Sequence, residues 1–136
     1  MNYDSHKILL VDDNNLYLEG LNLALNHLYK NIIIQSVYDG EHLTQDLIND
    51  FEPDIVILDI SMRTMGGLDA LKNLRTFDTE TPVLMLSMHD RKEYVEESLR
   101  LKANGFLLKD TGVDQIKVVI NQLLLGENYF PETKPL

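Results

Sequence analysis

Ile55-Val56-Ile57-Leu58-Asp59 is the stretch that decides how this chain folds. Its four consecutive apolar residues, three of them β-branched, read as a strand buried on both faces, as in a parallel sheet. A carboxylate follows where the strand runs out. Burying an unpaired carboxylate is costly, so Asp59 is expected at the strand's carboxyl end, facing a crevice. In open α/β sheets that edge is where ligands bind.

Working outward, three more runs repeat the pattern. Ile8-Leu9-Leu10-Val11 ends in Asp12-Asp13, Val83-Leu84-Met85-Leu86 ends in Ser87, and Phe106-Leu107-Leu108 ends in Lys109-Asp110. A further strand, Ile32-Ile33-Ile34 through Val37, ends instead in Val37-Tyr38. Segments with helical spacing lie between the runs. The first carries Leu18, Leu21, Leu25 and Leu28, with Asn14 or Asn15 as N-cap and Gly20 read as a mark of close packing. The second starts at Asp39-Gly40, carries Leu43, Leu47, Ile48 and Phe51, and is broken by Pro53. Leu68, Leu71 and Leu74 mark a short third helix that ends before Thr81-Pro82. The fourth covers 91–101 with Val95 and Leu99 facing inward, and Asn104-Gly105 closes it. Ile116, Val119, Ile120 and Leu123 define the last helix, before Gly126.

Strands alternating with helices predict an α/β fold. The expectation is a doubly wound, five-stranded parallel sheet of (βα)5 build with the flavodoxin-like order 2-1-3-4-5. At 136 residues the chain fits one domain, expected over 1–126. Pro131 and Pro135 mark 127–136 as a tail outside the core or the start of a linker. The net charge of -10 argues against direct contact with nucleic acid or an anionic membrane. With no cysteine, disulfides and thiolate metal sites are excluded. No stretch reads as a signal peptide or a membrane span, so a cytoplasmic protein is expected.

In the order 2-1-3-4-5 the first and third strands are neighbours, which brings Asp12, Asp13 and Asp59 together with Ser87 and Lys109 beside them. The second strand, off that crevice, is the one that ends without a charge. Three carboxylates this close repel. At about 4 Å and an effective dielectric of about 20, each like-charge pair costs about 4 kcal/mol. A hard divalent cation removes that cost, and all-oxygen ligands favour Mg2+. A carboxylate beside Mg2+ and a fixed ammonium suits in-line acceptance of a phosphoryl group. Asp59 would attack, and Lys109 and the metal would neutralise the phosphoryl oxygens. The Ser87 hydroxyl could donate to the same oxygens.

Together, the motifs LLVDDN, ILDIS, LSMHD and GFLLKD resemble the receiver domain of two-component response regulators, the CheY-like family. The resemblance covers about His6 to Leu125, and the later half is most similar to receivers of the NarL/FixJ type. It implies that Asp59 is the phosphoacceptor and Asp13 the direct Mg2+ ligand. It makes Asp12 a mainly water-mediated companion and the Ser61 carbonyl a backbone ligand. Ser87 is implied as the switch hydroxyl, Lys109 as the phosphoryl-binding lysine and Phe106 as the switch aromatic. In the family, phosphorylation draws the hydroxyl inward and the aromatic follows. The implied partners are a sensor histidine kinase and, as a further possibility, a second copy of the chain. The implied output is transcription regulation through a helix-turn-helix domain that this chain does not include. The implied chemistry is a phosphoacceptor switch, catalytic at most in its own phosphorylation and dephosphorylation.

The loop after Asp59 departs from the family pattern. Arg63 stands where proline is usual, and Gly66 where Asp or Asn usually precedes the glycine. Gly66-Gly67 is expected to loosen this loop. One competing reading is a receiver that acts as an interaction module without phosphorylation. Another is a haloacid-dehalogenase-like phosphatase, which would want Asp where Ser61 stands. A flavin-binding module of the same fold is weaker, since the first strand leads into acids rather than a phosphate-cradling loop. His89, close to the site, reads as a surface histidine.

Overall fold

The computed structural model describes residues 5–132. Strand β1 (Ser5–Val11) is followed by helix α1 (Asn15–Leu28), β2 (Asn31–Val37), a 3-10 turn (Gly40–His42) and α2 (Gln45–Phe51). Then come β3 (Ile55–Asp59), α3 (Gly67–Leu74), β4 (Val83–Ser87), α4 (Lys92–Arg100), β5 (Gly105–Leu108) and α5 (Val113–Leu124). All pairings are parallel and the order is β2-β1-β3-β4-β5, as the alternating pattern predicts.

Side chains alternate across the sheet, so each apolar run feeds two cores. Ile8, Leu10, Ile55, Ile57, Leu84 and Leu86 face α1 and α5, where they meet Leu18, Leu21, Leu25, Ile116, Val119 and Ile120. Leu9, Val11, Val56, Leu58, Val83, Met85 and Phe106 face the other way, against Ile48, Ala70, Leu71, Leu74 and Val95. The three inner strands are covered on both sides, which is why their sequence shows unbroken apolar runs. The register sets Val11 beside Leu58, Asp59 beside Leu86 and Ser87 beside Leu108, so the carboxyl ends of the strands form one edge.

Several local expectations are corrected. Leu99 is 49% exposed, and the inward face of α4 is formed by Val95 and Ser98. Ser98 can be buried because its hydroxyl donates to the Tyr94 carbonyl at 2.7 Å. Asn104-Gly105 does not close α4. The chain turns at Lys102, whose φ is 69°, and Gly105 already belongs to β5. Gly20 packs against nothing, since its Cβ position is open space. Leu43 precedes α2 and lies just beyond the 3-10 turn, still buried. Asn14 is the N-cap of α1, its side chain accepting from the Tyr17 amide.

The segment after Gly126 folds back on the sheet edge. Tyr129 bridges β5 at Gly105, accepting from the Phe106 amide and donating to the Asn104 carbonyl. Tyr129 and Phe130 pack against the two cores, so the stretch ahead of Pro131 is part of the packed structure. Pro135 lies outside the described residues.

Candidate functional site

Asp12 and Asp13 follow β1, Asp59 is the last residue of β3, Ser87 the last of β4, and Lys109 follows β5. Parallel pairing therefore brings these side chains to the same edge. Asp12 and Asp59 are 3% and 5% exposed, unusual for carboxylates, which are seldom buried without partners. One carboxylate oxygen from each of Asp12, Asp13 and Asp59 lies within 4.8 Å of the others, a spacing one cation can bridge.

Lys109 is the counter-charge. Its Nζ lies 2.6 Å from Asp12 Oδ2 and 3.4 Å from Asp59 Oδ2. The tighter partner is thus Asp12. The Asp12 contact is a close ion pair that misses hydrogen-bond alignment, and Oδ2 is buried with no hydrogen-bond partner. Asp12 Oδ1, in contrast, accepts from the Asn14 amide at 2.9 Å. Asp59 Oδ1 accepts a long hydrogen bond from the Ser61 amide at 3.4 Å. Burial, and then the neighbouring Asp12 charge, push the Asp59 carboxyl up to about 7, against the opposing pull of Lys109. One ammonium does not balance three carboxylates. The surplus negative charge of the three clustered carboxylates fits a hard, oxygen-ligated cation such as Mg2+.

Ser87 is 3% exposed, and its Oγ donates to the His89 carbonyl at 2.6 Å while accepting from the His89 amide. Phe106 is fully buried between β4 and the helices on that face. It carries no hydroxyl, so this inward position leaves no polar group unpaired. His89 is exposed and enters the site only through its backbone.

The loop from Ile60 to Gly66 is held in place, contrary to the expectation from Gly66-Gly67. Asp39, at the end of β2, accepts from the Thr64 amide at 2.8 Å and the Met65 amide at 2.9 Å. These bonds, the one from Thr64 foremost, hold the Asp39 carboxyl below the usual carboxylate range. Gly40 lets the Met65 carbonyl approach, since a Cβ there would sit 2.5 Å from that oxygen. Gly67 lets α3 start directly against β3, because a Cβ would overlap the Asp59 carbonyl. Arg63 is exposed on this loop and lines a cleft of about 520 Å³ with Asp13, Glu19 and Tyr38.

Two residues of the site went unread in the sequence. Asp39-Gly40 looked like a turn and nothing more, and its reach to 64–65 is a tertiary contact. Tyr17 lies four residues before Leu21, on the inward side of α1's first turn, and that spacing was the available signal. Its ring centroid is 4.7 Å from Lys109 Nζ.

The sequence matches the family model of the response regulator receiver domain over residues 8–121. It is 32% identical over 124 residues to the transcriptional regulatory protein MctR of Rhizobium johnstonii, covering 91% of this chain and 58% of that one. It is 32% identical over 121 residues to the transcriptional regulatory protein YdfI of Bacillus subtilis, covering 89% and 56%. The chain thus spans a little over half the length of these curated relatives. Among solved structures, the signal receiver domain of NarL from Mycobacterium tuberculosis superposes with a TM-score of 0.80 at 30% identity, covering 91% of this chain and 99% of that one. The fold, the strand-end residues and the match over 8–121 agree: this chain belongs to the receiver domain family of two-component response regulators, of the NarL/LuxR type.

Proposed function

We propose that the chain is a phosphorylation switch that takes a phosphoryl group onto Asp59 from a phosphohistidine of a sensor histidine kinase. The observation that carries this reading is the near-complete burial of Asp59 at a strand end, flanked by Asp12, Asp13 and Lys109. An Asp59 carboxylate oxygen attacks phosphorus, the phosphorus–nitrogen bond of the donor breaks, and the imidazole nitrogen keeps the electron pair and takes up a proton. The product is an acyl phosphate on Asp59.

Asp12, Asp13, Asp59 and the Ser61 carbonyl are the groups that would hold Mg2+. Bound there, it would neutralise the carboxylates and the phosphoryl oxygens. Lys109 sits within one side-chain movement of the phosphoryl oxygens and supplies the second positive charge. Ser87 exchanges its bond to the His89 carbonyl for one to a phosphoryl oxygen. Phe106, already inward, is then held there by the occupied site. The added dianion thereby biases two arrangements of β4, β5 and α4.

The chain acts as a phosphoacceptor and turns over no separate substrate. Its relatives are transcriptional regulatory proteins. The reading follows them: the switch controls transcription through a DNA-binding domain outside these residues, in a cytoplasmic protein that pairs with a second copy. The acidic receiver itself stays off DNA.

Incubation with acetyl phosphate, with and without Mg2+, tests the chemistry by intact mass. A single phosphoryl adduct that requires Mg2+ and is released by hydroxylamine is the expected result. No adduct in the folded protein with Mg2+ present would overturn the reading.

A further inference from the structure

We propose that Tyr17 is a positioning residue, whose ring face seats the Lys109 ammonium at the carboxylate cluster. The inference rests on the phosphoacceptor reading for its function, and on geometry alone for the seat.

Lysine carries its charge on a flexible four-carbon stem, so a fixed ammonium needs something to hold it. Asp12 holds Lys109 from one side, at 2.6 Å. A second carboxylate as close would fix it further, but would also cancel the charge that a phosphoryl group needs. An aromatic face attracts an ammonium through its quadrupole and leaves the charge intact. Tyr17 offers that face at 4.7 Å from Nζ, within the range of a cation–π contact. Lys109 is 8% exposed, so the contact is largely desolvated, the condition under which such contacts are strongest.

The surroundings make this more than a chance approach. Tyr17 lines a recess with Asp12, Asp59, Leu18 and Leu86 that has no room for a water molecule. The Tyr17 hydroxyl is buried with no hydrogen-bond partner. The position thus keeps a polar atom at a cost where phenylalanine or leucine would pack without one. The ring is anchored from behind by the apolar layer between α1 and the sheet. In this arrangement the ring and Asp12 hold Nζ from two sides. Nζ already lies 3.4 Å from Asp59 Oδ2, so it can meet a phosphoryl group there without being lost to solvent.

The test compares wild type, Tyr17→Leu and Tyr17→Phe, all with Mg2+. Tyr17→Leu is expected to accept phosphoryl from acetyl phosphate about five- to tenfold more slowly, and Tyr17→Phe to recover most of that loss. A second readout is the NMR position of the Lys109 ε-methylene protons. The ring should shift them upfield in wild type and Tyr17→Phe, and Tyr17→Leu should return them to the ordinary lysine position. The change reports that the ring lies over the ammonium end of Lys109, and a rate loss in Tyr17→Leu that Tyr17→Phe recovers ties that contact to phosphoryl acceptance. Unmoved Lys109 signals in Tyr17→Leu would overturn the seat, and a moved signal with an unchanged rate would overturn its role in phosphoryl acceptance. If wild type accepts no phosphoryl group, the receiver reading fails, and the NMR arm still decides whether the Tyr17 ring lies over Lys109.

Discussion

Asp59 sits where folding and chemistry oppose each other. Burial and the Asp12 charge raise its carboxyl from the ordinary 3.8 to about 7. Between those values the folded chain holds more protons than the unfolded one, so stability falls as pH rises. The stabilising effect of a neutral Asp59 is fully present below pH 3.8 and lost as pH climbs through about 7. In chelator, melts across this window should show that fall in wild type, and Asp59→Asn should lack its share. Mg2+ should flatten the wild-type curve by favouring the charged carboxylate. Asp39 behaves oppositely, since its folded value is lowered by the Thr64 amide first and the other loop amides after it. Its contribution is present near neutral pH and lost as pH falls through that lowered value. Asp39→Ala should lower the melting temperature and slow phosphoryl acceptance, because it frees the amides of Thr64 and Met65. Asp39→Asn, with one carbonyl acceptor left, should fall between. Neither Asp39 nor Tyr17 stood out in the sequence as a site residue. Their partners are distant in the chain, and no local pattern encodes a contact between Tyr17 and Lys109.

The elements were legible to the degree that burial dictated them. β3 and β4 are buried along their whole length, so the runs 55–58 and 83–86 could hardly be anything else. The face of α4 was harder. Its mean pattern is charged, and a serine satisfied by its own helix backbone took the inward place that hydrophobicity assigned to Leu99. The end of that helix was misplaced because glycine is the usual left-handed residue, and here Lys102 takes the role. A lysine there is strained, so Lys102→Asn should raise stability by about 0.5–1 kcal/mol in denaturant unfolding. The junction of β3 and α3 is less forgiving. A Cβ at Gly67 meets the Asp59 carbonyl and the Ile60 Cα, both backbone, and neither can give way cheaply. Gly67→Ala should cost about 3 kcal/mol by the same measurement and displace Asp59 with it.

For the molecule as a whole, parallel topology turns four separate sequence signals into one site. Every strand runs the same way, so strand-end residues share an edge, and the β1–β3 adjacency places the carboxylates side by side. A fold stabilised by two apolar layers can carry this cluster of like charge on its rim. Mg2+ at about 100 times its dissociation constant should add about 2.7 kcal/mol of stability, read as a melting temperature several degrees higher. A melt indifferent to Mg2+ would contradict the fit of the three aspartates to that ion. The central claim is narrower, that Asp59 and no other residue carries the phosphoryl group. It is tested most directly by intact mass of wild type and Asp59→Asn side by side, after acetyl phosphate and Mg2+. A single adduct in wild type and none in Asp59→Asn is the predicted result; equal labelling of both, or of neither, would contradict the account.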